Sequence, residues 1–253
     1  MTGAERLEAA LRTPKRPGRP ALMPYLTAGF PRREGFGELL ARVSSVADAI
    51  ELGVPFSDPM ADGVSIQAAS QAALQDGVSL RWILEMLGET ERECPVLLMS
   101  YLNPLLAYGF SDLARDAAAA GVCGLIVPDL PFEECGPLRE AAEGAGLGLV
   151  QLVTPLTPPG RLETLAAASR GFLYAVTMTG TTGGEVPDDL SDYLGRLRAA
   201  ASVPVCAGFG IRRAAQVQAL TGHADGVIVG SALIDVLRRG EDPLAFLAGL
   251  VKG

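Results

Sequence analysis

Eight short apolar runs recur along this chain, and each is followed by one or two longer stretches with helical patterning. That alternation restricts the fold more than any other feature. The runs are Leu22–Ala28, Asp48–Leu52, Val96–Tyr101, Gly124–Val127, Gly148–Val153, Phe172–Thr177, Val205–Ala207 and Gly226–Val229. They are near-continuous apolar segments without a period of two, as expected of parallel strands covered on both faces. The helical stretches are Phe36–Arg42, Ile66–Leu74 with Trp82–Glu91, Leu113–Ala120, Glu134–Glu143, Arg161–Ala168, Leu190–Ala200, Ala214–Leu220 and Ile234–Arg239. The fold class is α/β, and the pattern predicts one closed (β/α)8 TIM barrel over residues 1–253. An open doubly wound sheet is the alternative. Ala4–Leu11 reads as an extra N-terminal helix under the barrel, and Leu244–Val251 as a closing C-terminal helix. Arg12–Pro20, with three prolines and four basic residues, reads as a connector.

Composition narrows the function classes. The net charge of −8 argues against a nucleic-acid footprint, which needs a basic stripe. No apolar run reaches the ~18 residues of a membrane span. The opening residues Met1–Ala10 carry Glu5, Arg6 and Glu8, so they do not read as a secretory signal. Cys94, Cys123, Cys135 and Cys206 form no Cys-x-x-Cys pair, and His223 is the single histidine. A Cys/His metal site is therefore not expected, and reduced thiols in a cytoplasmic protein are.

The chemistry points to the second run. Glu51 is a lone acid within Ala49-Ile50-Glu51-Leu52, and Asp62 follows in a loop stiffened by Pro55 and Pro59. Burying an unpaired carboxylate costs several kcal/mol, so Glu51 needs a reason. Two carboxylates at a barrel mouth suit acid–base catalysis. The structural alternative is a Glu51 paired with an arginine and an Asp62 that caps a helix. Glycine-rich turns follow the seventh and eighth runs, Gly208-Phe209-Gly210 and Gly230-Ser231-Ala232. Such turns let backbone N–H groups approach a phosphate, commonly after the last two strands of a barrel; they are also what tight turns alone require. Asn103 and Asp129 lie at strand ends, where turn bracing is the simpler role. Thr179–Glu185 is a small-residue loop with the makings of a lid. The two lysines, Lys15 and Lys252, lie outside every run. A Schiff-base aldolase therefore lacks its nucleophile, and carboxylate acid–base chemistry on a phosphate ester remains.

From Pro24-Tyr25-Leu26-Thr27-Ala28-Gly29-Phe30-Pro31 to Gly230-Ser231-Ala232 the chain resembles the tryptophan synthase alpha chain family. The resemblance is most specific in Glu51-Leu52-Gly53-Val54-Pro55-Phe56-Ser57-Asp58-Pro59 with Ala61-Asp62-Gly63, and extends to Val127-Pro128-Asp129-Leu130-Pro131, Thr182-Gly183 and Gly208-Phe209-Gly210-Ile211. Met178 stands where the family commonly has arginine. The resemblance implies retro-aldol cleavage of indole-3-glycerol phosphate to indole and glyceraldehyde 3-phosphate, with Glu51 and Asp62 catalytic. It implies that Tyr25, Tyr101, Ile126 and Val153 line the indole pocket. Tyr174 and Thr182 then also contact substrate, and Gly183, Gly210, Gly230 and Ser231 bind phosphate. No metal or cofactor is implied in this chain. Pyridoxal phosphate would sit in a beta chain partner within an α2β2 heterotetramer. A free-standing indole-3-glycerol phosphate lyase, a different phosphate-binding biosynthetic barrel and a catalytically idle scaffold are the other readings.

Overall fold

The computed structural model describes residues 1–176, 188–208 and 210–252. Eight parallel strands close into a barrel in chain order: β1 Ala21–Thr27, β2 Ile50–Gly53, β3 Val96–Met99, β4 Val122–Ile126, β5 Gly148–Val153, β6 Leu173–Val176, β7 Val205–Gly208 and β8 Gly226–Val229. The barrel closes where Ala21 of β1 pairs with Gly226 of β8.

Helices wrap it: α1 Gly3–Arg12, α2 Phe36–Ser44, α3 Val64–Gln75, α4 Leu80–Glu89, α5 Leu102–Tyr108, α6 Phe110–Ala119, α7 Gly136–Gly144, α8 Pro159–Ala168, α9 Asp188–Ala200, α10 Ala214–Ala219, α11 Ser231–Arg238 and α12 Pro243–Leu250. The local sequence explains several starts. Thr2 and Glu5 form a capping box on α1. Ser79 caps α4, Asp242 caps α12, and Pro159 and Pro243 occupy first-turn positions where no N–H is missed.

Strand alternation sorts the apolar residues into two cores. One lies between sheet and helices. The other fills the barrel, where Ala21, Met23, Ala49, Leu97, Phe172, Cys206 and Ile228 meet Leu7 and Leu11 of α1. The N-terminal helix thus plugs the barrel from the end opposite the carboxyl-end loops. The connector also has work. Lys15 Nζ donates to the carbonyls of Ser44 and Ser45, and Arg16 to that of Val46, so its cations cap the end of α2.

Two elements differ from the sequence reading. The stretch after β3, which carries no helix in the sequence reading, is the helix α5. Pro104 falls in its first turn, where backbone N–H groups have no helical partner to lose. Asp48 belongs to no strand. It is buried, and its two oxygens accept from the backbone N–H groups of Lys15 at 2.6 Å and Leu22 at 2.7 Å, tying the connector to β1.

Candidate active site

Glu51 sits at the centre of β2, paired in register with Tyr25 of β1 and Leu97 of β3. Ile50 and Leu52 face the helices, so strand alternation turns Glu51 into the barrel. It is 1% exposed, and Oε2 has no hydrogen-bond partner. Among the described residues no arginine pairs with it, which removes the structural alternative for a strand-end acid. Burial first, and the Asp62 charge second, push its pKa up to about 8.

Asp62 lies in the turn after β2. Its backbone N–H donates to Pro59 at 3.1 Å, and its carbonyl accepts from Gln67 Nε2 at 2.8 Å. Tyr101 braces the turn from behind: its hydroxyl accepts from the Ala61 N–H at 2.8 Å, and its ring stacks on Phe56 at 5.2 Å. The N-cap of α3 is Gly63, with no side-chain cap bond, so Asp62 is not a helix cap. Burial lifts its pKa to about 6, with the Tyr101 hydroxyl opposing the shift. Two neighbouring carboxyls are therefore held apart: near neutral pH one keeps its proton and the other does not.

Both acids open into a cavity of about 380 Å³ at the carboxyl ends of the strands. Tyr25, Tyr174, Gly210, Gly230 and Ser231, all named above as candidates, line it. Tyr25 lies over Gly53, where a Cβ would overlap its hydroxyl, and Tyr174 lies over Gly208, where a Cβ would come within 2.8 Å. These glycines make room for phenols. Burial first, and the acids' charges besides, raise the pKa of both tyrosines, so each remains a neutral donor. Gly210 has φ of +62°, a left-handed conformation that favours glycine. The helix α11 begins at Ser231, and this residue and its N-cap Gly230 both stand at the cavity wall.

Three expected pocket residues do not reach the cavity. Tyr101 stands behind the Asp62 turn. Ile126 is sealed inside the barrel, and Met99 of the neighbouring strand lines the cavity. Val153 faces the helices, its carbonyl accepting from Tyr193 at 2.9 Å; Leu152 is the β5 residue on the cavity. For Val153 the reason is physical: a strand apolar on both faces carries no alternation from which to read the inward residue. Pro128 and Gly208, both within motifs the sequence analysis singled out, also line the cavity, as do Ile66, Val176 and Ile228, which carried no sequence signal of a site. Asp129 is a brace, accepting the Leu102 N–H at 2.9 Å, and Asn103 is exposed on α5. Thr182, Gly183, Met178 and the expected lid lie outside the described residues. Among the described residues no cluster of three or more His, Cys, Asp or Glu could hold a metal.

The comparisons with known proteins agree with this geometry. The family model of the tryptophan synthase alpha chain matches residues 11–246. The chain belongs to the tryptophan synthase alpha chain family. A relative of that name from Nitratidesulfovibrio vulgaris (strain DP4) is 47% identical over 249 residues, covering 96% of this chain and 97% of its own. One from Chloroflexus aurantiacus is 44% identical over 228 residues, covering 88% and 86%. Among solved structures, Mycobacterium tuberculosis tryptophan synthase superposes with a TM-score of 0.89 at 39% identity, covering 97% and 96%. The A-subunit from Pyrococcus furiosus gives 0.85 at 35%, covering 92% and 98%. The barrel is thus the alpha chain fold.

Proposed function

We propose that residues 1–253 act as one barrel domain that cleaves indole-3-glycerol phosphate to indole and glyceraldehyde 3-phosphate, the alpha reaction of tryptophan synthase. One observation carries the residue assignment: Glu51, buried in the barrel with Oε2 unpartnered, faces the same cavity as Asp62.

The phosphate binds at Gly210, Gly230 and Ser231, together with Gly183. The indole ring extends toward β2, with Asp62 at its ring N–H. Glu51 delivers its proton to C3, and the ring nitrogen takes on the positive charge. The Asp62 carboxylate stabilises that charge. Glu51, now a carboxylate, removes the proton from the hydroxyl on the carbon attached to C3. The electrons of that O–H bond form the aldehyde carbonyl, the C–C bond breaks, and its electron pair restores the aromatic ring. Glu51 ends protonated, as it began. Tyr174 packs beside the breaking bond, with Thr182 on the same substrate. Neither a metal nor a cofactor enters these steps. The two lysines lie off the strands, and Lys15 is spent on helix carbonyls.

The family implies a beta chain as partner. We infer an α2β2 assembly in the cytoplasm, with pyridoxal phosphate in the beta chain. Large apolar residues stand exposed on carboxyl-end loops, among them Met60 at 82% and Leu156 at 89%, and these suit a docking face. Among the described residues no helix is long and apolar enough to cross a membrane. The deciding experiment is indole release from indole-3-glycerol phosphate by the purified chain, repeated with EDTA and with borohydride. Release under all three conditions is the expected result. Absence of indole, or inactivation with a metal or covalent adduct detected, overturns the mechanism.

A further inference from the structure

The first turn of α3, the helix α11 and the loop after β7 meet on one carboxylate outside the cavity. Asp235 lies on α11, one turn beyond Ser231. Its Oδ1 accepts from the Ser65 hydroxyl at 2.7 Å, and Ser65 is the second residue of α3, directly after the Asp62–Gly63 turn. Its Oδ2 lies 3.4 Å from Arg212, two residues past Gly210. Arg238, one turn further along α11, reaches Asp235 Oδ1 at 3.4 Å and donates to the Ser65 carbonyl at 2.9 Å. Asp62 and Gly63 on one side, and Gly210, Gly230 and Ser231 on the other, all line the catalytic cavity.

We propose that Asp235 is a positioning residue that sets the distance between the phosphate end of the site and Asp62. The inference rests on the reading of the cavity given above. A substrate held at its phosphate by the start of α11 must present its indole nitrogen to an acid on the other side of the cavity. If α3 drifts relative to α11, both ends still bind but no longer together in register. Asp235 is suited to prevent that drift because it grips Ser65 directly, while Arg238 grips the same residue through its carbonyl. A charge shared with two arginines in a half-exposed setting adds little stability by itself. Its value lies in geometry, because misplacing a reacting group by an ångström costs up to ~10²-fold in rate.

The test compares Asp235→Ala, Asp235→Asn, Ser65→Ala and the double variant Asp235→Ala/Ser65→Ala. Expected for Asp235→Ala is a kcat fall of roughly ten- to a hundredfold, with inhibition by inorganic phosphate unchanged. Asp235→Asn recovers most of the rate, since its amide oxygen still accepts from Ser65. Ser65→Ala alone lowers kcat, and adding it to Asp235→Ala costs nothing further, because both remove the same contact. Hydrogen exchange supplies a readout independent of turnover. Inorganic phosphate should protect residues 59–66 in the wild type and leave them unprotected in Asp235→Ala. Unchanged kcat in Asp235→Ala and Ser65→Ala, additive losses, or equal phosphate protection in wild type and Asp235→Ala overturns the positioning role. A wild type that releases no indole overturns the catalytic reading instead, and phosphate protection still decides the coupling.

Discussion

The Tyr101 hydroxyl accepts the Ala61 N–H at 2.8 Å, and through this bond the N-cap of α5 moors the turn that carries Asp62. The same hydroxyl opposes the rise that burial imposes on the Asp62 pKa. Tyr101→Phe should therefore do two things. It should loosen the turn, at a cost of about 1 kcal/mol for a lost hydrogen bond, and it should let the Asp62 pKa climb further. The acidic limb of the kcat/KM profile should move to higher pH, so the variant loses more activity in mildly acidic buffer than at neutral pH. An unmoved acidic limb would separate Tyr101 from Asp62.

The wild-type profile should be bell-shaped. Activity rises as Asp62 ionises at about 6 and falls as Glu51 ionises at about 8. The two limbs belong to the interacting pair rather than to either acid alone. Asp62→Asn should remove the acidic limb along with most of the turnover. Near-normal turnover there would take Asp62 out of the mechanism.

Glu51→Gln should keep the fold and lose ~10²–10⁴ in turnover, the contribution of a general acid–base group. It also tests burial through stability. The folded-state pKa of Glu51 is raised, so its proton stabilises the native state fully below the ordinary carboxylate range. That stabilisation disappears as pH rises through about 8. A glutamine never ionises. The variant should melt with the wild type at about pH 5 and be the more stable by a few kcal/mol at about pH 9. A melting difference that ignores pH would show that Glu51 does not titrate from a sealed site.

How much of this was legible beforehand depended on whether a residue broke its local pattern. Glu51 did, as an acid in an apolar strand, and it is the residue turned into the barrel. Tyr25, Tyr174, Gly210, Gly230 and Ser231 were placed by resemblance, and all reach the cavity. Val153 faces the helices while its neighbour Leu152 lines the cavity, a difference hidden because both faces of β5 are apolar; Ile126 points into the barrel but lies below the cavity lining. The helix α5 was hidden by a proline that its first turn tolerates. Asp235 was invisible for a different reason: Ser65 lies 170 residues away, and no local pattern marks such a contact.

Gly53 should be as sensitive as a catalytic residue without touching a proton. A Cβ there overlaps the Tyr25 hydroxyl, and the ring's free direction is into the cavity. Gly53→Ala should raise KM and lower kcat in a folded protein. Adding Tyr25→Phe should restore little, because the ring carbons Cζ and Cε2 also lie 2.5 and 2.7 Å from the added Cβ. Full rescue would mean that the hydroxyl alone is the obstacle.

At Gly210 the obstacle is different. A Cβ there meets nothing within 4 Å, but φ of +62° is costly for a branched residue and the position fronts the cavity. Gly210→Val should raise KM sharply and weaken competition by inorganic phosphate. Normal substrate binding in that variant would move the phosphate site elsewhere.

The last expectation concerns the partner. Indole is apolar and would leak from an isolated barrel into water, so direct delivery to a beta chain makes physical sense. Met60, Leu106 and Leu156, exposed on the loops and helix after β2, β3 and β5, present apolar surface on the cavity's own side of the barrel. Met60 lies two residues before Asp62, so a partner seated there bears on the catalytic turn itself. A partner raises turnover only by binding the active arrangement of the loops better than the others. Slow cleavage by the isolated chain, and a large acceleration on titrating a cognate beta chain, are therefore expected. Leu156→Asp should weaken the complex in sedimentation and shift the titration to higher beta chain concentration, while leaving the slow cleavage of the isolated chain in place. Full activity alone, with no complex in the centrifuge, would instead identify a free-standing indole-producing lyase.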